Sequence, residues 1–128
     1  MKTFVISRFK AVKYALEGLR FILRTQHNTW IHTLATFFVV ILGLWLRLPP
    51  RDWALLVLTI CVVWAAEAMN TAIEAYTDLV SPQQHPLAKA AKDASAAAVL
   101  ATAAGSVIIG LLILGPPLWD RLPMLIGI

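Results

Sequence analysis

From Lys2 to about Arg24 the apolar residues Val5, Phe9, Val12, Leu16, Leu19 and Leu23 recur every three or four positions. Arg8, Lys10, Lys13, Glu17, Arg20 and Arg24 fall largely elsewhere around the helical circle. This pattern predicts an amphipathic helix over about 2–24 that lies in a membrane interface. Three long apolar runs follow. The first, about 29–47, carries His32 as its one potentially charged side chain before Arg47 at its end. The second, about 53–80, is longer than the hydrocarbon core needs, so its polar last turns should emerge at one face. The third covers about 87–114. Pro49-Pro50, Pro82 with Pro86, and Gly115-Pro116-Pro117 divide the runs, because proline lacks a backbone donor and biases the preceding residue away from helical geometry. Residues 115–128 are left as a short tail. The predicted fold is all-α and integral to the membrane: one surface helix and three transmembrane helices in a single domain over 1–128.

Composition fits that reading. Of 128 residues, 59% are hydrophobic and 14% charged, with a mean hydropathy of +0.75, well above the roughly 45–50% apolar content of soluble domains. The net charge of +4 comes from 11 basic against 7 acidic residues, and six of the basic ones precede residue 25. Such crowding points to anionic lipid headgroups rather than nucleic acid. Because Arg8, Lys10 and Lys13 interrupt it, the opening segment does not resemble a cleaved signal peptide. Cys61 sits in an apolar run and reads as a packing residue. With basic charge on the first helix and at Lys89 and Lys92, the positive-inside rule places the N-terminus and the second loop in the cytoplasm and the C-terminal tail outside.

Acidic residues inside a span cost about 2.5–3.5 kcal/mol each near its centre, so each requires a reason. At about 100° per residue, Glu67, Asn70, Glu74 and Asp78 line one face of the second span, with Thr71 beside them, over roughly 16 Å. Lys89, Lys92 and Asp93 open the third span across a short loop, so acids are expected to face bases. Carboxylates can hold Mg²⁺, a lysine can neutralise phosphate oxygens, and a deeper, partly desolvated carboxylate can deprotonate an alcohol whose tails stay in lipid. That is phosphoryl transfer to a lipid alcohol. Neither GxxxxGK[ST] nor a kinase glycine loop is present. The density of Ala, Ser and Gly in the third span allows close helix contacts, and three helices are a thin bundle in which to hide charge, so a homo-oligomer is expected.

At these residues the sequence resembles the small bacterial membrane kinases that include diacylglycerol kinase and undecaprenol kinase. Glu67-Ala68-Met69-Asn70-Thr71-Ala72-Ile73-Glu74 fits that family's E-x-x-N-[ST]-A-[IL]-E, and Ala88-Lys89-Ala90-Ala91-Lys92-Asp93 fits its A-K-x-A-K-D. The likeness extends to Glu17-Gly18-Leu19-Arg20, Ser81-Pro82 and His85-Pro86-Leu87. It implies a homotrimer in the bacterial inner membrane with sites shared between subunits, using ATP and Mg²⁺. By position it implies Glu67 as the proton-abstracting base and Glu74 as a metal ligand that also meets the nucleotide. Tyr14, Gln83, Gln84, His85, Lys92 and Asp93 then correspond to nucleotide contacts. Asn70, Asp78 and Lys89 give polar support, and Arg20 and Ala96 correspond to lipid contacts. There is one departure: Gln26 stands where the diacylglycerol kinase pattern has a second metal-binding glutamate, and an amide is a weaker Mg²⁺ ligand than a carboxylate. Either metal binding leans more on Glu74 and the ATP phosphates, or His27, or else an acid elsewhere, compensates.

The expected activity is therefore transfer of the γ-phosphoryl group of ATP to a membrane alcohol. The short chain and the His85 to Asp93 segment favour undecaprenol, with diacylglycerol, giving phosphatidic acid, as the alternative. Two readings of another class are an ion or proton conduit and a non-catalytic scaffold. A conduit needs a polar path across the whole bilayer, whereas residues 53–66 offer only Thr59 and Trp64 and the third span turns apolar beyond Ser106.

Overall fold

In a computed structural model the described residues form four helices: α1 (Lys2–Thr25), α2 (Asn28–Leu46), α3 (Pro50–Val80) and α4 (Pro86–Ile126). The structure describes residues 2–26, 28–83 and 85–126, with side chains described between 8 and 122. Among the described residues α2, α3 and most of α4 are long and apolar enough to cross a membrane. Helix α1 is exposed along nearly its whole described length and buries only Ile22, as a surface helix should.

Two boundaries differ from the sequence expectation. The second span begins at Pro50 rather than near Trp53, because proline at the first helical position gives up a donor that the helix does not use there. Pro49 caps this start, and its carbonyl receives the amides of Asp52 and Trp53 at 3.1 and 3.2 Å. The larger difference is α4, which does not stop at Gly115 but runs through Pro116 and Pro117 to Ile126, so residues 115–126 are helix and not a tail. Contacts with α2 account for it. Leu118 packs against the cluster of Leu46, Leu48, Leu56 and Leu114. The Arg121 guanidinium donates to the carbonyls of Trp45 at 2.9 Å and Leu46 at 3.3 Å, and lies 5.2 Å from the centre of the Trp45 ring.

These bonds complete the end of α2. Arg47 adopts a left-handed φ of 57°, its amide bonds to Leu44 O at 3.2 Å, and the Leu48 amide bonds to Gly43 O at 3.2 Å. This is the Schellman arrangement, made here without glycine. It leaves the Trp45 and Leu46 carbonyls to Arg121. Gly43 is needed for a different reason, since a Cβ there would meet the Trp53 ring at 3.0 Å and Leu48 at 3.2 Å.

The interior is divided along the membrane axis. Leucines fill the end where α2 meets α3, whereas the opposite end buries Thr29, Glu67, Asn70, Thr71, Thr77 and Ser95. Helices α3 and α4 pack together more extensively than any other pair. Most of the apolar surface of the spans remains exposed on the single chain. Lipid or neighbouring copies can cover it, as the absence of a hydrophobic drive between helices in lipid allows.

Candidate active site

Helix α3 presents its polar line toward the crevice where the start of α2 and the first turns of α4 converge. Glu67, 2% exposed, is the deepest member. Its Oε1 accepts from the Thr29 hydroxyl at 3.3 Å, and its Oε2 lies 3.9 Å from His32 Nε2. Thr29 is fully buried. Two turns along, at the site end of α3, both oxygens of Glu74 accept amide hydrogens: Oε2 from Gln26 Nε2 at 3.1 Å and Oε1 from Asn70 Nδ2 at 3.2 Å. Asn70 is oriented in turn by Ser95, whose hydroxyl donates to Asn70 Oδ1 at 2.7 Å. Helices α3 and α4 and the α1–α2 corner thus converge on one carboxylate. Among the described residues no buried side-chain nitrogen or oxygen lacks a partner, the condition under which a buried polar network rigidifies.

One turn further out, Lys92 donates to Asp78 at 2.6 Å, so an acid of α3 does meet a base of α4. Lys89 departs from the expectation and turns to Asp93 on its own helix, an i, i+4 pair. Asp78, Lys89 and Lys92, with Thr77, Ser81 and His85, line an open cleft of about 580 Å³. That volume is within the range of small-ligand pockets, about 300–1,000 Å³. His85 precedes Pro86 and caps α4, its Nδ1 accepting the Leu87 amide at 3.2 Å. Gln83 contributes its carbonyl to the Ser81 hydroxyl at 2.8 Å while its side chain is exposed.

The structure does not draw every expected residue inward. Tyr14 and Arg20 are exposed on α1, and among the described residues no hydrogen bond or ion pair ties them to the α3 line. Ala96 is exposed as well, and the neighbouring Ser95 is the buried one, so the helical register puts residue 95 against the acids. His27 and Gln84 lie outside the described residues. Thr29, His32 and Ser95 were not among the residues assigned a role from sequence. Of the three, His32 carried a usable signal, since an ionisable side chain inside an apolar span is a functional candidate by default. Thr29 and Ser95 are single small hydroxyls without a pattern.

Gln26 falls directly on Glu74, so the departure from the expected glutamate changes the chemistry of the site's centre. Among the described residues no three His, Cys, Asp or Glu side chains come together as a metal cage. The set that does converge is one carboxylate with the amides of Gln26 and Asn70, which can present oxygen if turned. Magnesium is commonly held by one or two carboxylates together with phosphate oxygens and water, so this oxygen set fits it.

Among the described residues, three helices long and apolar enough to cross a membrane thus carry a partly buried acidic line that is open at one end, next to lysines. The prokaryotic diacylglycerol kinase family matches residues 13–114. An undecaprenol kinase of Bacillus subtilis is 43% identical over 110 residues, 86% of this chain and 89% of that protein. A diacylglycerol kinase of Synechocystis is 42% identical over 107 residues, 83% of this chain but 61% of the longer relative. The diacylglycerol kinase of Escherichia coli K12 is 32% identical over 91 residues, 71% of this chain and 75% of that protein. The chain belongs to the prokaryotic diacylglycerol kinase family. It is an integral membrane lipid kinase, a phosphotransferase with an alcohol acceptor and ATP as co-substrate.

Proposed function

We propose that the chain, as one kinase domain, transfers the γ-phosphoryl group of ATP to undecaprenol at the cytoplasmic face of the bacterial inner membrane, working as a homotrimer. The observation that carries this reading is a carboxylate 2% exposed, Glu67, on the same helical face as Glu74 and Asp78 and leading to a lysine-lined cleft. A lipid alcohol can reach Glu67 with its tails still in hydrocarbon, while a nucleotide can enter only from the open end. The basic first helix and Lys89 and Lys92 support the cytoplasmic placement of that end. The exposed small-residue face of α4 supports assembly between copies.

In the mechanism Glu67 accepts the hydroxyl proton, the alcohol oxygen attacks the γ-phosphorus, and the bond from phosphorus to the bridging oxygen breaks to release ADP. Thr29 fixes one oxygen of Glu67 and so aims the other. About 10 Å of helix separates Glu67 from Glu74, where Glu74, Gln26 and Asn70 would hold Mg²⁺ against the phosphates. When bound there, the ion supplies charge neutralisation at the phosphate oxygens. Lys92, supported by Asp78, approaches the phosphates from α4, with Asp93, His85, Gln83 and Tyr14 closing round the nucleotide. Arg20 and Ala96 border the lipid, and Lys89 adds positive charge at the cleft mouth.

Undecaprenol is preferred because the Bacillus relative matches over nearly its whole length. Diacylglycerol is the second reading, favoured by the Synechocystis match at almost the same identity. Nanodiscs holding the purified protein, Mg-ATP labelled in the γ-phosphate and either lipid at equal mole fraction separate them. The expected result is a higher kcat/KM for undecaprenol. A higher value for diacylglycerol reverses the assignment, and label in neither lipid rejects the function.

A further inference from the structure

A threonine inside a helix commonly directs its hydroxyl to the carbonyl three or four residues back. Thr25, Thr33, Thr59, Thr71, Thr77 and Thr102 all do so here. Thr29 does not. It is the second residue of α2, so no carbonyl of its own helix lies three or four positions behind it. It is also fully buried, which removes water as a partner. Its hydroxyl crosses instead to Glu67 Oε1 at 3.3 Å. Glu67 Oε2 is left without a hydrogen bond among the described residues, 3.9 Å from His32 Nε2. The two oxygens of the carboxylate are thereby sorted, one held and one open. Three residues earlier on the same corner, Gln26 Nε2 donates to Glu74 Oε2 at 3.1 Å. The corner is itself fixed: the Gln26 amide bonds to Ile22 O at 3.0 Å and the Thr29 amide to Gln26 O at 3.3 Å, and Ile22 is the buried anchor of α1. One turn of chain therefore grips both glutamates of α3.

We propose that the α1–α2 corner is a two-point clamp that sets the proton acceptor and the metal-binding carboxylate against each other, with Thr29 as a positioning residue acting through Glu67. The proposal rests on the assignment of Glu67 as base. In the step it serves, the alcohol O–H proton moves to Glu67 Oε2, the alcohol oxygen bonds to the γ-phosphorus as the bridging bond breaks, and ADP leaves with the bonding pair. Thr29 keeps its own proton throughout. A carboxylate with neither oxygen held turns readily about its last side-chain bond, where the torsional wells are broad. Misplacing a reacting group by about 1 Å can cost about 10²-fold in rate, so one hydroxyl that fixes this rotation is worth far more to the reaction than to the packing.

The test follows single turnovers of the full chain in nanodiscs with saturating Mg-ATP and, in parallel, undecaprenol and dioleoylglycerol. Thr29→Val keeps the shape of the side chain without its hydroxyl, and Thr29→Ser keeps the hydroxyl without the methyl group. We expect Thr29→Val to lose about 10–10²-fold in rate with ATP affinity retained, and Thr29→Ser to stay near wild type even where it melts at the lower temperature of the two. Wild-type rate in Thr29→Val, or equal losses in both variants, overturns the positioning role, because a purely structural residue follows packing rather than the hydroxyl. If Thr29→Val does not fold, Thr29→Ala against Thr29→Ser makes the same comparison. In a Glu67→Gln background Thr29→Val should cost no further rate, since the group it acts through is gone. In a Gln26→Leu background, where the other hold on α3 is released, it should cost less than in wild type. An undiminished loss in either background overturns the clamp. If Glu67→Gln is slow while Thr29→Val matches wild type, the clamp alone fails. If Glu67→Gln is fully active, the base assignment fails first.

Discussion

Replacing Gln26 by glutamate tests what sits at the centre of the site. In wild type the Gln26 amide donates to Glu74 at 3.1 Å, a neutral donor beside an acid. Gln26→Glu removes a hydrogen bond to a charged group, worth about 1.5–3 kcal/mol. It also sets two carboxylates about 4 Å apart, where an effective dielectric near 20 gives a repulsion of about 4 kcal/mol. Both residues are only half-buried, so solvent and salt reduce that sum. A destabilisation of about 2 kcal/mol in EDTA at pH 8 is the expected net effect. Magnesium reverses it, because two carboxylates are a better oxygen site than one. At a free concentration 100 times the dissociation constant, binding contributes about 2.7 kcal/mol to the folded state. Thermal unfolding in nanodiscs without nucleotide, across a MgCl₂ titration, reads both halves: the variant should melt below wild type in EDTA and rise steeply with Mg²⁺, while wild type moves little. A variant that melts with wild type in EDTA and ignores Mg²⁺ would show that the two side chains do not face each other.

Three further perturbations separate support, substrate binding and scaffold. Ser95→Ala leaves the buried Asn70 Oδ1 without its 2.7 Å donor, at a cost of about 1–3 kcal/mol, and should lower kcat as Asn70 loses its hold on Glu74; unchanged stability and rate would remove Ser95 from the network. Lys92→Met takes away the lysine that α4 holds against Asp78, and should raise the KM for ATP about tenfold or more, with a smaller penalty at high salt, whereas an unaltered KM would place the phosphates elsewhere. Arg121→Ala strips two charge-assisted bonds and a cation–π contact from the end of α2, for about 2 kcal/mol in an SDS unfolding titration. Its KM for ATP should not change, since about 28 Å of α2 lies between that end and the site; a shifted KM would mean the two ends are coupled.

Much of the arrangement is readable without coordinates. The three- and four-residue spacing of α1, the apolar runs and the prolines at 49, 50, 82 and 86 define the elements, and helical periodicity alone aligns Glu67, Asn70 and Glu74. What escapes is whatever depends on a partner distant in sequence. Pro116 and Pro117 read as a stop because local backbone preference opposes a helix there, and only the docking of Leu118 and Arg121 on α2 overrides it. Lys89 faces the acids of α3 in any simple drawing of the turn, yet its own helix offers Asp93 at i+4. Ser95 and Ala96 are adjacent in an alanine-rich run, and which one turns inward depends on the rotational setting of α4 against α3. Thr29 gains meaning only because the α1–α2 corner delivers it to Glu67.

Glu67 as proton acceptor is the claim on which the mechanism stands. The most direct measurement is single-turnover phosphorylation of the lipid by Glu67→Gln in nanodiscs, with ATP affinity determined on the same sample. The account predicts a rate lower by about 10²–10⁴-fold with ATP affinity retained, because the proton acceptor is gone while the phosphate-binding groups around Glu74 and Lys92 are intact. Phosphorylation at the wild-type rate by that variant would contradict it.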